Sequence, residues 1–277
     1  TVISSEIVDL APCIRETAGG KLIEENNPVF DAEDYIVNIG PQHPSTHGVM
    51  HFRTSLDGEI VKKVDVHSGY IHRGIEKLCE SMTYPQMLHL TDRLDYLSAN
   101  INRHALCICI EKAAEIEVPE RALYIRTIMD ELQRISSHLL AWATHCNDLG
   151  ATTAFIYGMR EREHILDIFD KTCGGRLIIN QNVVGGVMFD LYPDFQKDVK
   201  AFIPYMRGRL KEYDNFFSHN AIALGRMVHI GLLSREDAIS YGVTGPAGRA
   251  SGWSCDVRRY KPYALYDRVE FKEIVRT

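Results

Sequence analysis

No stretch of this 277-residue chain stays apolar for long. The longest wholly apolar run, Ala105 to Ile110, falls far short of the roughly 20 residues that a membrane-spanning helix needs. No charged n-region, apolar h-region and cleavage site opens the chain, so the expectation is a protein neither secreted through a visible signal nor integral to a membrane. An excess of positive charge is missing too. With 31 basic residues against 37 acidic ones the net charge is −6, which gives no electrostatic reason to expect nucleic acid. The seven cysteines (Cys13, Cys79, Cys107, Cys109, Cys146, Cys173, Cys255) include no C-x-x-C, are odd in number and are scattered, as reduced thiols in a reducing compartment would be. Cys107-x-Cys109 lies in an apolar helical stretch and reads as two buried small thiols rather than a metal site. The Gly-rich loop Thr244-Gly245-Pro246-Ala247-Gly248-Arg249 has no Gly-Lys-Ser/Thr ending and no G-x-G-x-x-G, so a nucleotide site is poorly supported. Internal repeats and low-complexity tracts are absent.

What is present is an ordinary globular composition, 45% hydrophobic and 25% charged, long enough for one large domain or two smaller ones. Residues 1–34 carry no sustained period and read as an extension or linker. Over 35–68 the pattern alternates: Tyr35, Val37 and Ile39, then Met50, Phe52, Thr54 and Leu56, with Asp57-Gly58 marking a hairpin before the run that ends Val64-Asp65-Val66. This is an antiparallel β region. Between its strands lies Gly40-Pro41-Gln42-His43-Pro44-Ser45-Thr46-His47-Gly48, two imidazoles four apart in a loop stiffened by prolines and closed by glycine. Its tip is expected to project from the sheet edge, either as a poised site or as a surface turn with two solvated histidines.

From Gly69 the period changes to 3.6, and residues 69–242 read as a helical bundle. One helix covers about 70–82 and a second runs from Pro85 to about Glu115. Pro119 opens a third, striped by Ile125, Ile128, Leu132, Ile135, Leu139, Trp142 and Cys146. A fourth, about 158–172, ends at Gly174-Gly175, and a fifth carries Val199, Ile203, Met206, Leu210, Tyr213 and Phe217 on one face. Ser234 with Asp237 opens a short helix stopping at Tyr241-Gly242. Residues 243–277 are a Gly/Arg-rich loop and the start of a C-terminal region; Val269-Glu270-Phe271-Lys272 looks like a strand cut short, so the polypeptide is expected to continue. The fold class is therefore α+β, a small N-terminal antiparallel sheet followed by a mainly α-helical bundle.

Several constellations could carry chemistry. Thr91-Asp92-Arg93-Leu94-Asp95-Tyr96 is expected on a helix with Asp92 and Tyr96 on one face, where the phenol is either an oriented general acid or a half-buried core group. Asp148 ends the third helix, a carboxylate opposing the macrodipole: a functional residue with a compensating partner, or a solvated terminal side chain. Arg73 with Glu76 reads as an i, i+3 pair at the entry to the first helix, and His138 with His145 as bundle hydrogen bonding. Arg160-Glu161-Arg162-Glu163 reads as a solvated charged face.

Six blocks taken together, GPQHPSTHG at 40–48, GYIHRGIEK at 69–77, TDRLDYL at 91–97, NDLGA at 147–151, REREHILDIFD at 160–170 and TGPAGRASG at 244–252, resemble the D subunit of NADH:quinone oxidoreductase, the 49 kDa quinone-site subunit of respiratory complex I. That family is similar to the large subunit of nickel–iron hydrogenases, whose front motif R-x-C-G-x-C holds metal through thiolates. Here the matching slot reads Arg93-Leu94-Asp95-Tyr96-Leu97-Ser98, without the soft ligands.

The resemblance implies that His47 and Tyr96 reach the quinone carbonyls, that His43 shares the substrate site, and that Asp148 hydrogen-bonds His47 and sets its tautomer. It implies that Arg73 and Arg93 lie near a [4Fe-4S] cluster in the partner B subunit, with quinone as substrate and no metal held by this chain. Further implied partners are the C subunit and the membrane-arm H subunit, and the implied place is peripheral, on the cytoplasmic side of the inner or plasma membrane. One departure stands out: where some members carry His-His after the fourth helix, this chain has Arg176-Leu177-Ile178-Ile179, and an isoleucine cannot link cluster potential to pH. A membrane-bound hydrogenase-type large subunit and a degenerate assembly module remain the alternatives.

Overall fold

The computed structural model describes residues 15–16, 22–23, 30–31, 34–43 and 48–276. The chain divides into two units, residues 1–73 and 74–277.

In the first unit, β1 (Arg15–Glu16) pairs with β2 (Leu22–Ile23). The main sheet is three-stranded and antiparallel, with β3 (Tyr35–Ile39) and β7 (Ile60–His67) flanking β6 (His51–Asp57). The Asp57-Gly58 signal is realised as the β6–β7 turn, where Gly58 takes φ 61° at no steric cost. Thr54 and Ser55 are buried on the central strand, where a bulge shifts the register between Ser55 and Leu56. Arg53 stacks over the buried Phe30 ring at 5.2 Å. A two-residue ladder of β4 (Gln42–His43) and β5 (Gly48–Val49) forms the base of the histidine loop. Its tip, residues 44–47, which includes His47, lies outside the described residues.

The second unit is helical. Three of the expected helices differ in extent. The first helix is confined to α1 (Ile75–Cys79), and the helix expected from Pro85 to Glu115 is two, α2 (Tyr84–Thr91) and α3 (Ala99–Ala113). The break has a local cause. Asp95 Oδ1 accepts from the Leu97 amide at 3.1 Å, while Asn102 and Gln133 side chains take the Asp95 and Leu97 carbonyls, so side chains satisfy backbone groups that a continuous helix would need.

The long third helix is α4 (Glu120–Asp148). It turns through Leu149-Gly150-Ala151 into α5 (Thr152–Cys173), which begins earlier than expected and stops where Gly174 adopts φ 73°. These two helices approach closely at Gly158, where an added Cβ would stand 2.7 Å from Ala143 Cβ and 3.2 Å from the Leu139 carbonyl oxygen.

The strands β8 (Asn182–Val183) and β9 (Gly186–Val187) precede α6 (Phe195–Tyr213), which runs into a π-helical turn at Asp214–Ser218. The core gathers Met129, Leu132, Leu139, Ile165, Phe169, Ile179, Phe202 and Met206, with Trp142 stacked on Tyr213 at 4.3 Å. The expected stripes only partly face it. Ile135 of α4 and Ile203 and Leu210 of α6 line an open apolar cleft instead, at the edge of stripes wider than the buried contact, while Ile125, Leu132, Leu139 and Cys146 stay buried along the whole of α4.

Short helices α7 (Ala221–Met227), α8 (Arg235–Ser240), α9 (Gly245–Ala250) and α10 (Val257–Tyr260) follow. Ser234 caps α8 through the Asp237 amide, as its sequence predicts. The Gly-rich segment read as a loop contains α9, and residues 269–276 form no strand. Among the described residues no helix is long and apolar enough to cross a membrane. Two further readings are corrected by burial. Glu161 and Arg162 are buried rather than solvated: Glu161 accepts from Arg160 Nε at 2.9 Å, and Arg162 Nε donates to Ser136 Oγ of α4 at 3.1 Å. Of the Cys107–Cys109 pair only Cys107 is buried, its thiol pushed up to about 11 by burial; Cys109 is exposed.

Candidate functional site

The turn between α2 and α3 presents Arg93, Leu94, Asp95 and Tyr96 at the surface while everything beneath it is fixed. Tyr96 is 52% exposed. The expectation that Asp92 and Tyr96 share a helix face fails, because α2 ends at Thr91 and residues 92–98 are a series of turns. Asp92 instead points inward. Its Oδ2 accepts from Arg103 Nη1 at 2.6 Å, and the two side chains are 1% and 2% exposed. Burial pushes the Asp92 carboxyl up, against the pull of Arg103. Arg103 also donates from Nε to the Asn182 carbonyl at 2.6 Å and from Nη1 to Asn180 Oδ1 at 3.0 Å. The other side of the turn is held from α4, where Gln133 Nε2 donates to the Leu97 carbonyl at 2.6 Å. A phenol on such a mount can meet a ligand without reordering the chain around it.

Asp148 is the last residue of α4 and is exposed, roughly 22 Å further along that helix than Gln133 at 1.5 Å per residue. The helix end beside it is met by a cation that the sequence did not signal: Arg226 Nη1 donates to the Leu149 carbonyl at 2.8 Å, as a positive group should at a C-terminus. Gly150 is favoured by its backbone rather than by space: its φ is 87°, while an added Cβ would meet that arginine at an ordinary 3.7 Å. His43 is exposed on β4 opposite Gly48, and Arg73 is exposed at the end of the first unit. The structure thus brings Arg93 and Tyr96 onto one turn.

Sequence reasoning missed the groups that build this mount. Arg103 and His104, directly before the apolar run of α3, were the available signal, since a charge buried in a helix requires a partner. It also missed a cluster in the first unit, where His51 and His67 face each other across β6 and β7 with ring centroids 5.3 Å apart. His67 Nε2 lies 2.8 Å from Asp65 Oδ2, and His51 Nε2 lies 3.1 Å from Asn38 Oδ1. In the departing segment 176–179, Ile179 is fully buried in the core, Ile178 is half-buried, and Arg176 pairs with Asp167 and Glu163.

Residues 148–277 match the family described as respiratory-chain NADH dehydrogenase, 49 Kd subunit. The chain is 62% identical over 274 residues to the C/D subunit of NADH-quinone oxidoreductase from Phocaeicola vulgatus, covering 99% of this chain and 53% of that protein. It is 45% identical over 239 residues to the D subunit of NADH-quinone oxidoreductase from Bacillus mycoides, covering 86% of this chain and 65% of that one. It therefore spans about half the length of the C/D relatives and somewhat under two thirds of the D relative. Among solved structures, a chain of the archaeal membrane-bound sulfane sulfur reductase superposes with a TM-score of 0.85 at 30% identity, over 89% of this chain and 67% of that one. With the fold, the motif order and these relatives in agreement, the chain belongs to the 49 kDa, or D, subunit family of respiratory-chain NADH dehydrogenase.

Proposed function

We propose that this chain forms the quinone-reducing site of a proton-translocating NADH:quinone oxidoreductase, in a complex with B, C and H subunits, peripheral on the cytoplasmic side of the membrane. Two electrons arrive singly from the [4Fe-4S] cluster of the B subunit. Tyr96 and His47 each give one proton as negative charge develops on the two carbonyl oxygens, so that the quinone leaves as the quinol. Asp148 orients His47, and His43 completes the head-group site. Arg73 and Arg93 supply positive charge beside the cluster, which favours its reduced state.

The observation that carries this reading is the mounting of Tyr96. Buried Asp92 and Arg103 on one side and Gln133 on the other hold an exposed phenol whose neighbours in sequence include a cation. A residue serving only to fill a core would be neither exposed nor so held. Tyr96→Phe removes the donated proton with almost no change in volume. In the assembled complex it should lower quinone reductase activity by about 10²-fold or more while NADH oxidation by ferricyanide stays normal. Near-normal quinone turnover in Tyr96→Phe would discard the assignment.

A further inference from the structure

Behind the Tyr96 turn, α3 and α4 enclose a pair of ionisable groups that quinone reduction, as described, does not use. His104 Nδ1 lies 2.5 Å from Asp130 Oδ2, with the side chains 1% and 0% exposed. The other Asp130 oxygen accepts from Asn100 Nδ2 at 2.7 Å. His104 Nε2 is buried and has no hydrogen-bond partner among the described residues. The same residue lines a cleft of about 470 Å³ together with Ile108, Glu111, Lys112, Leu123 and Arg126. From the C-terminal segment, Tyr263 packs edge-on against the imidazole at 5.8 Å.

The charged neighbours are accounted for element by element. Arg103 of α3 is paired with Asp92, and Glu111 of α3 with Arg126 of α4, so both pairs are internally neutral. Arg134 of α4 adds a positive field at Asp130. Lys112, Glu115 and Glu117 stand around the cleft.

A buried carboxylate that holds one imidazole nitrogen and leaves the other open is an arrangement for moving protons. With a single proton, on Nδ1, the pair carries one net negative charge in the protein interior. A second proton makes it neutral. That state can be written as imidazolium with carboxylate or as imidazole with carboxylic acid, and in both forms the added hydrogen sits on Nε2. Burial disfavours the charged form and therefore favours proton uptake.

We propose that His104 and Asp130 form an internal proton-binding site, loaded through His104 Nε2 from water in the cleft and coupled to the Tyr96 turn. The coupling runs through short contacts. Asn100, which holds Asp130, accepts at its carbonyl from Asn182 Nδ2 at 3.1 Å, and the Asn182 carbonyl in turn holds Arg103, the partner of Asp92 at the foot of the turn. The proposal rests on the quinone-site reading for what the stored proton serves.

The test is the pH profile of quinone reduction by the assembled complex in membranes, with ferricyanide reduction as the upstream control. Wild-type activity should decline on the alkaline side as the pair gives up its proton. His104→Gln and Asp130→Asn should each shift that limb by about one pH unit or abolish it, with ferricyanide reduction unchanged. Profiles identical to wild type in both variants, in a complex where Tyr96→Phe still blocks quinone reduction, would overturn the proton site alone. Normal turnover in Tyr96→Phe would overturn the quinone reading instead. In that event the heat stability of the full chain against pH decides the proton site, divergent slopes for wild type and His104→Gln supporting it and parallel curves overturning it. Failure of both variants to assemble would give the pair a packing role and overturn the proposal.

Discussion

Asp92 and Arg103 are the residues on which the candidate site depends most directly. A buried ion pair contributes little net stability compared with apolar residues of the same volume, but removing one member strands the other. Arg103→Met should therefore destabilise the chain by about 3–5 kcal/mol, seen as a lowered thermal midpoint. Asp92→Asn combined with Arg103→Met should recover part of the loss, because no buried carboxylate is then left without a cation; a double variant no more stable than Arg103→Met would show that Arg103 acts through packing and its bonds to Asn180 and Asn182. At this scale the sequence was legible where a residue type is rare in its setting. Asp148 was read correctly as closing the long third helix, whereas Tyr96 was placed inside a helix and lies in a turn. What was not legible is which distant residue a charge meets. Arg226 and Gln133 reach their carbonyls across 77 and 36 residues of chain, and no local pattern encodes such a meeting.

Among the elements, the antiparallel pair α4 and α5 sets the spacing of the second unit. Their contact at Gly158 leaves no room for a methyl group, since the nearest atoms belong to Ala143 and to the backbone of Leu139. Gly158→Ala would gain helix propensity, yet overpacking should outweigh it and cost about 1–3 kcal/mol in a denaturant or thermal melt. A melt unchanged or raised would mean that the helices can part slightly at this point. Helix existence was readable from periodicity for α4, α5 and α6, and the Asp57-Gly58 hairpin from its turn residues. The break after Thr91 was not, because the apolar pattern continues across it while Asp95, Asn102 and Gln133 side chains compete for the backbone. The solvated face expected at 160–163 holds for Arg160 and Glu163 and fails for Glu161 and Arg162 for a related reason: charge marks a surface only when no partner waits inside, and for Arg162 Ser136 does.

For the whole molecule, Glu131 ties the C-terminal segment to the bundle. It accepts from Tyr266 at 2.5 Å, from Arg134 at 3.1 Å and from Arg258, which also holds Asp256 at 2.7 Å. Burial opposes ionisation of Glu131, yet the Tyr266 hydrogen bond and the Arg134 and Arg258 cations hold its carboxyl below the ordinary value. The Arg258 hydrogen bond does the same for Asp256. A depressed carboxyl contributes stability above its unfolded value, about 4.3 for Glu, and loses it as pH falls through the lower folded value. Acid should therefore loosen this end of the chain, and Glu131→Gln should be less stable at neutral pH with a shallower decline below about pH 4, followed by thermal melts across the acid range. An acid limb as steep as wild type would assign the loss to other carboxylates. The bundle and the small sheet were legible from period alone, whereas this tie was not, since it joins positions 127 residues apart. The mounting of Tyr96 has a calorimetric meaning as well. Its turn is ordered by the fold before any ligand arrives, so association there should lose little chain entropy and lack the large heat-capacity and entropy signature of a segment that folds as it binds.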